Sequence, residues 1–116
     1  VGDVDAAALA LALQRLTAMV MAPFVLVHVG LILYAVRGGL TAAEILARTQ
    51  GNWFWIVFYG LFVLSVAIHV PIGIRSILIE WLRLGRAAAS AVGLVFGVAL
   101  LILGLRAVAA VGGIVQ

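Results

Sequence analysis

Two histidines, His28 and His69, stand inside long apolar runs that themselves contain no Asp, Glu, Lys or Arg. An ionisable group held in hydrocarbon is costly and is kept where it faces a bundle interior, a cavity or a cofactor. Imidazole there offers metal ligation through a ring nitrogen or proton relay. The plain alternative is a neutral ring hydrogen-bonded to a neighbouring helix. The chain has no Cys, which excludes disulfides, iron–sulfur ligation and thioether-attached haem within it.

Depth separates the uses of the pair. With Arg15 and Arg75 at one membrane boundary, His28 lies 13 residues in and His69 lies 6 residues from the edge. At 1.5 Å per residue these are ~20 Å and ~9 Å deep. A single haem ligated by both rings needs them on opposite faces of one macrocycle, yet adjacent helices pack only ~8–10 Å apart. Each ring would therefore supply one axial ligand to its own haem, with the opposite ligand coming from a second subunit.

The surroundings of His69 suit a flat ligand. Ser65, His69, Gly73, Ser76 and Glu80 share one helical face, and Gly73 removes a side chain one turn from the ring. Pro71 frees the carbonyl of Ala67, and Pro23 does the same to Met19. Haem propionates need cationic or hydrogen-bonding partners near the interface, where Arg15 and Arg75 stand, with Gln14 and Thr17 adding neutral bonds. Both arginines also fit as interfacial anchors.

The elements that must carry these residues follow from hydropathy. Of 116 residues 67% are hydrophobic and 9% charged, too little polar surface for a water-facing globule. Three runs long enough to cross ~30 Å of hydrocarbon predict membrane spans over about 16–36, 53–78 and 87–110. They are continuously apolar and not alternating, which argues against a β-barrel. The fold class is all-α, a single membrane-anchor domain within a larger helix bundle. Thr41 and Glu44 read as a capping box opening a short amphipathic helix over 41–49, and Asp3 and Asp5 precede a surface helix expected over 5–14. Gly93, Gly97 and Gly104 form a small-residue stripe for helix packing.

Net charge is +3, from seven Arg against Asp3, Asp5, Glu44 and Glu80. The Arg residues bracket the spans and do not form one basic face, so they mark topology and not nucleic-acid binding. Arg15, Arg75, Arg83 and Arg86 outweigh Arg37, Arg48 and Arg106, which places the N-terminus in the cytoplasm. Trp53, Trp55, Tyr59 and Tyr34 gather at the opposite interface.

Two patches carry a family resemblance. Residues 67–81, reading AIHVPIGIRSILIEW, resemble the second span of the cytochrome b membrane-anchor subunit of the succinate dehydrogenase/fumarate reductase (succinate:quinone oxidoreductase) family, where a haem-ligand His precedes Gly-Ile-Arg and an acidic residue. Gln14-Arg15-Leu16-Thr17-Ala18 is similar to the family's His-Arg-x-[Ser/Thr]-Gly motif, with Gln14 for its His, Ala18 for its Gly and Leu11 where it has a quinone-contacting Ser. The resemblance implies that His69 is an axial ligand of haem b and that Arg15 lies near quinone and propionates. Leu26-Val27-His28-Val29 looks like the two-haem, two-anchor type, in which His28 would hold the distal haem. The implied partners are a second anchor subunit, an iron–sulfur subunit and a flavoprotein, around a multi-pass chain of the inner (cytoplasmic) membrane. Such a chain is a non-catalytic subunit of an oxidoreductase that passes electrons to or from quinone. A haem-free transporter or proton-relay subunit using the two histidines is the competing expectation.

Overall fold

In the computed structural model, which describes residues 2–114, the chain is built of four helices. They are α1 (Gly2–Gly38), α2 (Ala42–Thr49), α3 (Trp53–Glu80) and α4 (Arg86–Val111). Of these, α1, α3 and α4 are long and apolar enough to cross a membrane. They run up, down and up, with α3 packed between α1 and α4. One end of the bundle carries α2, and the other carries the first turns of α1 and the α3–α4 connector.

The surface helix expected over residues 5–14 is not a separate element. The stretch is Ala- and Leu-rich with no Gly or Pro to break it, so it continues into the span as the first turns of α1. A helix of 37 residues is ~55 Å long at 1.5 Å per residue, well beyond ~30 Å of hydrocarbon. Its first turns thus project from the bilayer with Asp5, at the connector end.

The caps set where the other helices begin. The Thr41 hydroxyl accepts from Glu44 N–H at 3.2 Å and donates to the Glu44 carboxylate at 3.1 Å, opening α2 as its sequence predicts. Asn52 Oδ1 accepts from Phe54 N–H at 3.0 Å and opens α3. Gly51 takes φ +71° between them, a left-handed turn that a side chain would strain. At the far end, Arg83 adopts φ 55° in the connector. There Leu84 N–H donates to Leu78 C=O at 2.9 Å, which closes α3.

Packing between α3 and α4 depends on missing side chains. A Cβ on Gly93 would meet the Pro71 carbonyl oxygen at 2.8 Å, one on Gly97 would overlap the Pro71 ring, and one on Gly104 would meet Val63 at 2.6 Å. The stripe expected from sequence therefore receives α3, and Gly97 lies against the Ala67 carbonyl that Pro71 frees. Buried residues along α4 are Ala89, Gly93 and Gly97, and among the described residues no large side chain is fully buried. The helices touch through backbone and leave their large apolar side chains facing outward.

Replacing Gly93 by Val is expected to cost about 1–3 kcal/mol by overpacking against Pro71. A detergent-unfolding midpoint of the membrane-extracted protein should fall accordingly. Gly60→Ala, whose new Cβ meets nothing within 4 Å, should leave it unchanged.

Candidate functional site

Both histidines lie at the α1–α3 contact, at different levels. His28 projects from α1 with its ring centroid 5.7 Å from those of both Tyr59 and Phe62 on α3, edge to face. His69 lies seven residues beyond Phe62, about 10 Å further along α3 at 1.5 Å per residue. Beside His28, Phe24 packs on Phe58 at 4.6 Å and on Phe62 at 5.9 Å. Between Phe62 and His69 on α3 the buried polar side chain is Ser65.

His69 meets the start of the membrane segment of α1. Its Nδ1 is 3.1 Å from Thr17 Oγ1, and Thr17 is only 6% exposed. The same hydroxyl lies 2.7 Å from the Leu13 carbonyl and 3.1 Å from that of Gln14, both in its own helix. Next to it, a Cβ on Gly73 would come 3.2 Å from Gln14 Nε2, while Gln14 Oε1 is buried without a hydrogen-bond partner. Gln14, Thr17, His69 and Gly73 thus form one cluster, with Ser65 buried one turn from His69 on the same helix. Gly73 makes room here for the Gln14 side chain.

Arg75 and Arg15 differ in how they stand to this cluster. Arg75 Nε donates to Ser90 Oγ at 2.7 Å, which ties it to α4. Arg75 projects from the α4-facing side of α3, two residues after Gly73 has turned toward α1. Arg15 is exposed next to Gln14 at the connector end.

His28 opens onto a second feature that sequence reading missed. A groove of about 640 Å³ lies over α3, between α1 and α4 and beneath α2, with His28, Tyr59, Gly104 and Arg48 among its lining residues. That volume is within the ~300–1,000 Å³ range of small-molecule sites. His28 Nδ1 is buried with no hydrogen-bond partner. The roof is fastened by Thr49, 8% exposed, whose hydroxyl lies 2.8 Å from the Val111 carbonyl, and by Gly51 N–H donating to Gly112 C=O at 2.9 Å. A groove formed jointly by four elements leaves no local signal in a sequence. Only the amphipathic character of α2 hinted at a cover. Among the described residues no three His, Asp or Glu side chains converge, so neither histidine belongs to an all-protein metal cage.

This arrangement is that of a membrane-embedded anchor with interior histidines. A family model described as succinate dehydrogenase/fumarate reductase transmembrane subunit matches residues 2–108, and the chain belongs to that family. No curated protein and no solved structure gives a match.

Removing the Thr49 hydroxyl (Thr49→Val) deletes the bond to Val111 and is expected to weaken the roof by about 1 kcal/mol. Amide exchange at Gly51, read by mass spectrometry, should quicken by roughly fivefold if opening controls it. Exchange within α3 should not change.

Proposed function

We propose that the chain is the haem b-binding anchor of a succinate:quinone oxidoreductase-like respiratory complex. His69 and His28 would each give one axial ligand to a separate haem, and a sister anchor would give the other. Bound haem supplies a one-electron carrier whose potential follows from its axial ligands, its burial and nearby hydrogen bonds. The observation that carries the reading is the pair of interior imidazoles at unequal levels, one with a buried nitrogen left without a partner. An uncompensated polar atom in hydrocarbon fits a site whose remaining group comes from elsewhere.

The chain's own residues support this division of work. Phe24, Phe58 and Phe62 pack around the His28 level. Relay of protons from one imidazole to the other would need a hydrogen-bonded chain that reaches His28, whose Nδ1 has no hydrogen-bond partner, and this weighs against the haem-free transporter. Gln14 Oε1 is an unfilled acceptor suited to a hydroxyl donor, and with exposed Arg15 it defines a polar corner for quinone or propionates at the connector end.

Arg15, Arg75, Arg83 and Arg86 flank that same end, which the positive-inside rule assigns to the cytoplasm. The iron–sulfur and flavoprotein subunits would dock there, with the chain in the inner membrane. Electrons would pass between them and membrane quinone through this anchor, while the chemistry on the dicarboxylate takes place in the flavoprotein.

The test is haem content of the purified complex. Wild type should show two b haems in a reduced-minus-oxidised spectrum. His69→Ala and His28→Ala should each remove one, and the two losses should add. Unchanged haem content in either variant rejects that ligand, and a wild-type complex without a b-type α band rejects the whole reading.

A further inference from the structure

We infer that Thr17 is a positioning residue for His69, fixing which ring nitrogen carries the proton and leaving Nε2 as the ligating atom. The inference rests on the haem reading of His69. It follows from proton counting at one oxygen. A threonine hydroxyl has a single proton and two lone pairs. At 2.7 Å the Leu13 carbonyl is its shortest contact, a carbonyl can only accept, and this i−4 back-bond is a common threonine habit in helices. With the proton committed there, the contact to His69 Nδ1 at 3.1 Å is a hydrogen bond only if Nδ1–H donates to the Thr17 oxygen. The neutral ring then has its lone pair on Nε2.

That is the state a ligating imidazole needs. A metal-bound histidine commonly donates its other N–H to an acceptor, which orients the ring and raises its basicity. Thr17 is buried and its oxygen is pinned by its own helix, so it presents a fixed acceptor and not a mobile one. His28 has no counterpart in this chain, because its Nδ1 is buried without a partner. Thr17 thus acts on the His69 site alone, and its part is to orient the ligand and tune it, not to contact propionate or quinone.

The measurement is a redox titration of the intact complex carrying Thr17→Val or Thr17→Ser. Valine keeps the shape and removes the acceptor, so His69 becomes a weaker donor to ferric iron. The haem component that His69→Ala abolishes should then titrate at a higher potential in Thr17→Val. The expected change in its reduced-to-oxidised ratio is roughly threefold to tenfold, or about 30–60 mV at 59 mV per decade for one electron. Thr17→Ser should restore the wild-type value, and the component lost in His28→Ala should not move. An assembled Thr17→Val complex with both potentials unchanged overturns the inference, whereas absence of b haem from wild type overturns the reading beneath it.

If Thr17→Val fails to assemble, the reduced, diamagnetic wild-type complex with ¹⁵N-histidine in this chain decides the matter by NMR. A protonated Nδ1 in contact with the Thr17 side chain is expected for His69. An Nδ1 without a proton, or with its proton directed away from Thr17, overturns it.

Discussion

An imidazole in hydrocarbon must have both ring nitrogens accounted for, and that constraint organises this chain. Water is absent at those depths, so each nitrogen needs a protein partner or a ligand. For His69 one partner is the Thr17 hydroxyl on the neighbouring helix, which makes the ring part of the seam joining α1 to α3. For His28 the neighbours are the edges and faces of Tyr59 and Phe62, and Nδ1 finds no hydrogen bond. The two rings have equal chemistry but unequal supports. One is braced within the chain, and the other depends on what lies beyond it.

Holding α1 and α3 in register falls to small contacts. Apolar side chains gain little from meeting one another in lipid, so close backbone approach and a few polar bonds must supply the association. On the α4 side, Gly93 and Gly97 admit the Pro71 turn of α3, and Ser90 takes Arg75. Pro71 gives up a backbone bond two residues from His69, and α4 covers the place where it is lost. The helix that carries no candidate ligand therefore steadies the one that does.

Much of this was legible in sequence because it rests on local rules. Hydropathy located three spans, Thr41 and Glu44 located the α2 cap, and glycine spacing located the face of α4 that packs. The interior histidines were conspicuous by type alone. Three features were not legible, and two of them involve pairs remote in sequence. Nothing local says that Thr17 meets a residue 52 positions away. Nor does a one-dimensional reading show that Ser90 on α4 approaches Arg75, or from which side of α3. The first turns of α1 read as a surface helix because Asp3 and Asp5 precede an Ala- and Leu-rich stretch, but no breaker separates them from the span.

The pattern of what is buried also bears on assembly. The buried polar residues are Thr17, Thr49 and Ser65, all small hydroxyls, and among the described residues no large side chain is fully buried. Such a chain has too little enclosed interior to surround a large flat cofactor by itself. It can offer one face, one ligand per level and a groove. The unfilled nitrogen of His28 and the unfilled oxygen of Gln14 lie at different levels, so no single bound group answers both. In the proposed reading, completion by a second membrane subunit would meet the constraint at both levels at once, with this anchor supplying half of each site.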